Sequence, residues 1–491
     1  MPEVPPQGSL TLGLDLGTSA VKVVALGSDG VVRGAASAGF PTSSTLPGQA
    51  EQAPHDWLQA VSTAMRTLDE NLQGTHGAAL AQVAAVGLTG QLPTLVCLAA
   101  DAALAPAITW KDGRADAWAA TRVDAARRAQ MYARTGMPID GRYLAPMLEF
   151  HFADRLGEIQ SILSAKDYLL WALTGLRLTE PSTAAGYGVY DLEAQSFSAT
   201  LAEFWNLPPR LLPQLRPANS WAGPLSEAGA KLLGLAAGTP VSTGAADSVC
   251  AAYCMAGLDE CAASISFGSS AVVIGASAAP RLDPRARYLL TPHAAAGWYG
   301  REMDLLATGT GYRWLSELFG WPEGEIDRVA AGSVPGAHGL FFAPYLAGGE
   351  QGALWNSRLE GALFGLNLRH VRADIARAFL EGVFYEVRRC VEVLAEAAPV
   401  DSVKVSGNIV HAPGSMQLLA DILDRPVAAV PEKSPAAIGA ALLARSLLDV
   451  PGTAASRVSA SPARCVPERA AAQLYAALYR EYVARAARCE R

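Results

Sequence analysis

The chain has 491 residues, which allows two large domains or about three domains of average size. Apolar residues make up 51% of the sequence and charged residues 17%, a composition that excludes disorder as the main state. The 39 basic and 46 acidic residues give a net charge of −7, and no run of Lys or Arg exceeds two residues. Because a nucleic-acid-binding surface needs clustered basic residues, we predict no nucleic-acid partner.

The cysteines and the hydropathy pattern indicate the compartment. The seven cysteines are odd in number and lack C-x-x-C spacing, which argues against a disulfide framework and a zinc ribbon. The first eight residues contain no basic region and no apolar stretch, so we expect no secretory signal there. The uncharged stretch 261–280 is rich in serine and is typical of two strands rather than a membrane span. We predict a cytoplasmic protein with no membrane partner.

Strand and helix patterns alternate along the first half of the sequence. An apolar strand at 9–15 is followed by a turn at 17–19 and a β-branched strand at 21–26. A hairpin signal at 28–30 then leads into a third strand. The patterns that follow are, in order, a helix at 56–72, strands at 83–88 and 95–98, and one surface helix at 115–134.

A similar unit begins near residue 240. A strand at 241–243 precedes a helix of small residues at 248–255, and residues 264–274 then have a strand, turn, strand pattern. Shifting the first hairpin by 251 residues superposes it on this unit with four identities, at Gly17, Ser19, Ala20 and Val21. The correspondence predicts an internal duplication, and hence two similar lobes with a cleft between them.

The rest of the second half continues the alternation. Its predicted elements are a strand at 403–406, a helix at 415–423, a strand at 427–430, a helix at 436–448, a linker at 451–467 and a last helix at 470–487. Strands that alternate with helices in this way favour an α/β architecture over a sandwich or a helical bundle.

Two turns of small hydroxyl residues are the candidate phosphate-binding elements. The sequence contains neither a G-x4-GK[ST] loop nor a G-x-G-x-x-G fingerprint, which argues against a P-loop NTPase and a typical dinucleotide enzyme. In the turns Gly17-Thr18-Ser19 and Gly268-Ser269-Ser270, backbone N–H groups and hydroxyls can converge on an anion. Asp15 precedes the first turn at a strand end, where a carboxylate suits a magnesium ion or its water shell. Each turn alone is more typical of an ordinary hairpin, and it is the pair of related turns with an adjacent Asp that favours phosphate binding.

Asp247 is the second carboxylate that the pattern singles out. It stands between a predicted strand and a helix of small residues. At that junction the carboxylate can face an open cleft, or it can cap the N-terminus of the helix. The local sequence leaves both roles open.

A third cluster of residues is suited to a sugar. Trp110, Asp112 and Arg114 lie within five residues, and charged groups can bind sugar hydroxyls while an aromatic face covers the C–H side. The alternative is a surface loop with a local charge pair. Gln91-Leu92-Pro93 follows a strand and could reach a ligand, and glycine turns at Gly309-Thr310 and Gly407-Asn408 could allow the backbone to approach a nucleotide.

Together these motifs resemble the FGGY family of carbohydrate kinases, within the actin-like ATPase superfamily, and most closely its xylulokinases. The resemblance runs from residue 10 to residue 448. Its strongest stretches are Gly13-Leu14-Asp15-Leu16-Gly17-Thr18-Ser19, Trp110-x-Asp112-x-Arg114, Lys166-Asp167-Tyr168-Leu169, Gly244-Ala245-Ala246-Asp247, Ser266-Phe267-Gly268-Ser269-Ser270 and Gly361-Ala362-Leu363-Phe364-Gly365.

The resemblance implies an α/β protein with two actin-like (ribonuclease H-like) lobes, a sugar-binding lobe at 1–243 and a nucleotide-binding lobe at 244–491. It implies transfer of a phosphoryl group from ATP, with Mg²⁺, to a sugar hydroxyl, most directly of D-xylulose to give D-xylulose 5-phosphate. By resemblance, Asp247 is the general base, and Asp15 and Asp247 hold the metal. The implied sugar site is Gln91, Leu92, Trp110, Asp112 and Arg114, and the implied ATP site is Gly17, Thr18, Ser19, Lys22, Gly268, Ser269, Ser270, Gly309, Thr310, Gly407 and Asn408.

Departures from the family pattern leave the acceptor and the activity open. Leu92-Pro93 stands where xylulokinases usually have Met-His, and Gln351 replaces the arginine of a Gly-Glu-Arg motif. Another ketose or a polyol is therefore an open alternative to D-xylulose. The sequence is also compatible with an actin-like ATPase that lacks sugar kinase activity and with a kinase-derived protein that has lost activity. The assembly is left open between a monomer and a homodimer.

Overall fold

Two seven-stranded sheets, one in each half of the chain, form the framework of the protein. The computed structural model describes residues 9–75, 79–100, 102–322, 324–347, 350–356, 358–448 and 464–489. The strands of the first sheet are β1 (Leu10–Leu16), β2 (Ala20–Gly27), β3 (Val32–Gly39), β4 (Val83–Gly90), β5 (Trp221–Pro224), β6 (Pro240–Ser242) and β7 (Ala245–Ala246). Those of the second sheet are β8 (Ala262–Phe267), β9 (Ala271–Ser277), β10 (Leu289–Pro292), β11 (Tyr299–Leu305), β12 (Ser402–Gly407), β13 (Val427–Ala429) and β14 (Arg464–Cys465).

The two sheets share the same central arrangement. The first has the order β5-β6-β4-β1-β2-β3, with β7 also paired to β4, and the second has the order β10-β11-β9-β8-β12-β13-β14. In the first sheet β1 pairs with β2 antiparallel and with β4 parallel. In the second, β8 pairs with β9 antiparallel and with β12 parallel. This repeated pattern confirms the predicted α/β fold with two similar lobes.

Helices cover both faces of the first sheet, which explains why β1 is buried along its whole length. Helix Pro54–Thr75 presents Trp57, Val61, Leu68 and further apolar residues at helical spacing to one face, and each of these three is fully buried. Helix Pro435–Arg445, from the second half of the chain, lies on the other face.

The approach of helix Pro435–Arg445 to the first sheet requires glycine. A Cβ added at Gly13 would lie 1.8 Å from the Ala437 carbonyl oxygen, and one at Gly87 would lie 1.9 Å from that of Ala440. Because no side chain fits at these distances, the two strands and the helix are in direct backbone contact.

The remaining elements surround the two sheets. Short strands lie at Glu51–Gln52, Thr94–Ala99, Ala102–Ala103, Ala107–Thr109, Ser161–Leu163, Leu178–Thr179, Tyr190–Asp191, Ser196–Phe197, Gln214–Leu215, Phe341–Ala343 and Ala362–Phe364. The other α-helices are Asp116–Arg122, Ala125–Thr135, Leu144–Phe152, Ala165–Thr174, Pro181–Ala185, Ala199–Phe204, Glu227–Leu233, Asp247–Ala256, Gly309–Phe319, Glu325–Ala330, Arg372–Ala397, Pro413–Leu423 and Arg469–Ala486.

The prediction of one helix over 115–134 is wrong. The segment forms two helices, Asp116–Arg122 and Ala125–Thr135, separated by an extended Val123 with φ −120° and ψ 95°. The carboxylate of Asp124 accepts a hydrogen bond of 2.8 Å from the Arg127 backbone N–H and caps the second helix. An Asp N-cap inside an alanine-rich run is therefore what divides the helix.

Two further predictions concern the limits of the domains and the membrane. The boundary between residues 243 and 244 stays a prediction, and β7, which follows it, pairs with the first sheet. Residues 451–463 of the predicted linker lie outside the described residues, and Arg464–Cys465 forms β14. Within the described part of the chain, no helix has the length and apolar character that a membrane span requires.

Candidate active site

The two lobes enclose a cleft and, adjoining it, a smaller pocket. The cleft has a volume of about 1200 Å³, and the smaller pocket, here called the inner pocket, has about 230 Å³. Trp110, Arg142, Leu306, Gln351 and Trp355 line both cavities. The inner pocket is further lined by residues of both halves of the chain, among them Thr18, Leu92, Tyr143, Ser182, Asp247, Ser248, Ser270, Thr291, Glu302 and Asp304.

Both predicted phosphate turns reach the inner pocket. Thr18 of the first turn and Ser270 of the second line it. The backbone N–H of Gly17 donates to the Ala20 carbonyl at 3.1 Å, and that of Gly268 donates to the Ser270 carbonyl at 2.8 Å. Each hairpin is thus closed by its own backbone, and their small hydroxyl residues come together at one cavity.

The predicted nucleotide-contacting turns pack directly on the second hairpin. The backbone N–H of Gly309 donates to the Gly268 carbonyl at 3.1 Å, and that of Thr310 donates to the Ser269 carbonyl at 3.0 Å. Gly407 has φ +101°, and a Cβ there would lie 1.9 Å from the Phe267 carbonyl oxygen. Residues distant in sequence therefore form one continuous surface of glycine turns and hydroxyls, on which Asn408 is exposed.

Asp247 lies at the start of helix Asp247–Ala256 and lines the inner pocket. Its carboxylate accepts a 2.8 Å hydrogen bond from the Ser248 N–H, the next residue, whereas the N-cap position is occupied by Ala246. Asp247 is therefore the first residue of the helix rather than its N-cap, and its carboxylate accepts one N–H at the helix N-terminus while it also lines the pocket. Burial, followed by the negative charge of Asp15, raises the pKa of Asp247 to about 7.

Asp15 and Lys22 face each other across the first hairpin. They are a directly paired couple of β1 and β2, with the Lys22 ammonium 3.9 Å from the Asp15 carboxylate. Burial raises the pKa of Asp15, and its Oδ1 accepts no hydrogen bond from any described residue. A buried carboxylate oxygen without a partner, close enough to Asp247 to raise its pKa, fits a Mg²⁺ site that uses one or two carboxylates and ligand phosphates.

The residues predicted to contact sugar do not all reach a cavity. Trp110 lines both cavities, and its indole Nε1 donates to the Thr18 hydroxyl at 3.2 Å. Asp112 is 1% exposed and accepts hydrogen bonds from the Arg114 guanidinium (2.7 Å) and the Ala50 N–H (2.9 Å). Arg114 also pairs with Glu51 at 2.5 Å. Among the described lining residues of the two cavities, Asp112 and Arg114 are absent, so their sugar contact stays a prediction.

Gln91 and Leu92 occupy different positions. Leu92 lines the inner pocket, whereas Gln91 is 1% exposed behind it. The Gln91 amide donates to Gln52 at 2.8 Å, and the Gln52 amide donates to the Thr18 carbonyl at 2.8 Å. Gln91 therefore supports the first hairpin through Gln52, and a direct sugar contact by Gln91 stays a prediction.

Several pocket residues were missed by the sequence analysis. Glu302 and Asp304 line the inner pocket two residues apart on β11, and the acidic-apolar-acidic alternation of that strand could have indicated a polar face. Arg142 also lines it, paired with Asp140 through its guanidinium. The Gln351 amide oxygen, when turned toward Arg142, accepts from that guanidinium; Gly349 of the same motif lies outside the described residues.

Comparison with known proteins assigns the family. The N-terminal domain of the FGGY family of carbohydrate kinases matches residues 10–254, and its C-terminal domain matches residues 263–447. The xylulose kinase of Escherichia coli (strain K12) is 30% identical over 417 residues, covering 84% of this chain and 84% of that protein. The glycerol kinase of Gloeobacter violaceus is 29% identical over 435 residues, covering 85% and 84%.

A solved structure agrees with this assignment. The xylulose kinase of Rhodospirillum rubrum superposes with a TM-score of 0.87 at 28% identity, covering 98% of this chain and 99% of that one. The predicted pair of actin-like lobes is thereby confirmed, as is the predicted class of enzyme. With both family domains matched in order over most of its length, the chain belongs to the FGGY family of carbohydrate kinases.

Proposed function

We propose that this sugar kinase transfers the γ-phosphoryl group of ATP to a hydroxyl of a small polyhydroxylated acceptor, with D-xylulose as the first candidate. The observation that carries the proposal is the inner pocket, where Thr18, Ser270 and Asp247 meet. A carboxylate with a pKa of about 7 between two hydroxyl-rich turns has the position and the basicity that a general base for an alcohol needs.

The proposed chemistry begins with Asp247. Its carboxylate removes the proton from the acceptor hydroxyl, the resulting oxygen attacks the γ-phosphorus, and the bond from that phosphorus to the bridging oxygen of the β-phosphate breaks. ADP carries away the electron pair of that bond, and the proton remains on Asp247 until product release. Phosphoryl transfer depends mainly on positioning and charge neutralisation, and the two turns position the phosphates by hydrogen bonding to them.

The nucleotide is proposed to lie along the second lobe. Its phosphates would contact the turns Gly17-Thr18-Ser19 and Gly268-Ser269-Ser270, with Lys22 near the first. The rest of the nucleotide would lie against the turns Gly309-Thr310 and Gly407-Asn408. Magnesium, held by Asp15 and Asp247 together with the phosphates, would neutralise phosphate charge when bound. The exposed hydroxyl of Ser269 and the exposed Asn408 support an open nucleotide site.

The choice of D-xylulose rests on relatives and on pocket size. The E. coli relative of 30% identity is named a xylulose kinase, as is the R. rubrum structure. A volume of about 230 Å³ suits a small polyol. Because another relative is named a glycerol kinase, a shorter polyol is the alternative acceptor.

The test is an ADP-release assay with Mg²⁺-ATP and a panel of acceptors: D-xylulose, D-ribulose, xylitol and glycerol. We expect ADP release that depends on one of these acceptors and a product that carries one phosphate ester. ADP release that is independent of any acceptor would instead identify an ATPase. Absence of both activities, with ATP binding retained, would contradict the proposal.

A further inference from the structure

Glu302 and Asp304 form an acidic pair that the proposed transfer step does not use. They are two residues apart on β11, so their side chains leave the same face of the strand. Both line the inner pocket, as does Asp247. Glu302 is 8% exposed, and Asp304 Oδ1 is buried without a hydrogen-bond partner among the described residues. A buried acceptor oxygen needs a donor, and because Asp304 lines the cavity, a ligand in the inner pocket can supply one.

The charges that line the inner pocket do not balance. Its described lining contains three carboxylates, those of Asp247, Glu302 and Asp304, and a single cationic side chain, Arg142. Arg142 is already paired with Asp140, to which its Nε donates at 3.1 Å. The charge of Arg142 also acts on Asp304, so the three carboxylates of the described lining share one guanidinium, which is already paired with Asp140.

Ionisation of Glu302 and Asp304 is unfavourable in the absence of a ligand. Burial and the neighbouring Asp304 raise the pKa of Glu302 well above its usual range, and burial raises the pKa of Asp304 to about 6. No group of three metal-ligating side chains lies close enough together in the described chain to hold an ion by side chains alone, and the magnesium proposed above is assigned to Asp15 and Asp247 with the phosphates. A hydroxyl donor from a ligand would satisfy the unpartnered Asp304 Oδ1, whereas the Glu302 carboxyl already interacts with the Ser248 hydroxyl.

We propose that Glu302 and Asp304 determine acceptor specificity: they accept hydrogen bonds from adjacent hydroxyls of a neutral polyhydroxylated acceptor and reject acceptors that carry a carboxylate or a phosphate. The inference rests on the proposed function, since it concerns the same pocket. Charge-assisted hydrogen bonds from hydroxyls favour the neutral acceptor. An anionic group brought to the same place would add a negative charge beside the carboxylates of Asp304 and Asp247, which selects against it.

The experiment compares D-xylulose with D-xylonate, which also has five carbons but carries a carboxylate. kcat and KM are measured for the wild type, for Glu302→Gln, for Asp304→Asn and for the double variant. We expect the wild type to prefer D-xylulose by at least about 100-fold in kcat/KM. In the double variant, KM for D-xylulose should rise roughly tenfold or more, with a much smaller change in kcat. The ratio of kcat/KM for D-xylulose to kcat/KM for D-xylonate should fall at least about tenfold.

Glu317→Gln is the matched control. Glu317 is an exposed carboxylate of the same lobe, on helix Gly309–Phe319, and it lines neither cavity. This variant should keep the wild-type preference, which separates a local effect in the pocket from a change in net charge. Thermal melting of each variant identifies any loss of folding.

Direct binding of both ligands, measured by calorimetry without ATP, distinguishes the inference from the proposed function. If D-xylulose binds in preference to D-xylonate but no phosphate ester forms, only the proposed function fails. If D-xylonate binds or reacts as well as D-xylulose, or if the double variant keeps the full preference, the inference is overturned. Binding of neither ligand overturns both.

Discussion

The two hairpins occupy equivalent places in the two lobes, yet they differ in both turn length and charge. In the first, Leu16 pairs with Val21 across four residues, and in the second, Phe267 pairs with Ala271 across three. The first carries the Asp15–Lys22 couple, for which the shift of 251 residues gives Ser266 and Val273 in the second. The two lobes therefore share a strand framework, as the predicted duplication implies, but only the first hairpin carries the charged pair.

The hairpins are also supported in different ways. Side chains hold the first turn: Trp110 and Gln52 donate to Thr18 at 3.2 and 2.8 Å. Backbone contacts hold the second, where Gly309 and Gly407 allow two turns to approach closely. The comparison therefore predicts that substitutions near the first hairpin act through lost side-chain partners, and those near the second through steric conflict.

The largest effect is expected at Asp247, which lies between the hairpins. Asp247→Asn preserves size but cannot accept a proton, so kcat should fall by roughly 10²–10⁴-fold, the usual contribution of a general base. ATP and acceptor affinities, measured by calorimetry, should change little. A variant that turns over near the wild-type rate would show that another residue is the base.

The loop that carries Trp110, a support of the first hairpin, can be destabilised at Asp112. Asp112→Ala removes one of the two carboxylate partners of Arg114 and leaves the buried Ala50 N–H without its acceptor, so the free energy of unfolding should fall by about 3 kcal/mol in urea. Asp29→Ala is the control, because Asp29 pairs with Arg33 at the surface and should cost far less. Unchanged stability with lost acceptor binding would instead support a direct sugar contact.

The support of the second hairpin can be broken at Gly407. Gly407→Ala places a Cβ against the Phe267 carbonyl at a positive φ, which should cost about 1–3 kcal/mol of unfolding free energy and raise KM for ATP. Gly414→Ala is the matched control, because its Cβ would meet nothing within 4 Å. Equal effects of both substitutions would contradict the steric argument.

The smallest effect concerns pH and the influence of Asp15. With a pKa of about 7, Asp247 loses its base form as pH falls, so kcat/KM should drop about tenfold between pH 8 and pH 6. Since the Asp15 charge helps raise that pKa, Asp15→Asn should move the acidic limb to lower pH in whatever activity remains. A shift of the acidic limb to higher pH in Asp15→Asn would contradict this coupling between Asp15 and Asp247.

The sequence was sufficient where signals are local. The β1–β2 hairpin follows from alternating apolar residues around a small-residue turn, and Asp247 from its strand-to-helix junction. Helix Pro54–Thr75 follows from apolar residues at helical spacing, within a few residues of its ends. The split of 115–134 was missed because an alanine-rich composition outweighed one capping Asp.

The site itself depends on contacts that no local pattern encodes. The spacing of Asp112 and Arg114 is suited to a ligand, but the pairing of Arg114 with Asp112 and with Glu51, 63 residues upstream of Arg114, decides their burial (114 − 51 = 63). Likewise, Glu302 comes 55 residues after Asp247 (302 − 247 = 55), and the pairing of β11 with β9 brings that strand next to the second hairpin. Residues so far apart in sequence come together only in the tertiary structure.

Helix Pro435–Arg445 also has a consequence for synthesis of the protein on the ribosome. The first sheet is complete in sequence once Ala246 has been made, but this helix covers one of its faces and is made about 190 residues later (435 − 246 = 189). Until then the nascent first lobe has an apolar face without its partner, a condition that promotes aggregation. A ribosome-stalled chain that ends before Pro435 should therefore bind chaperones and be cleaved by proteases more readily than one extended past Arg445.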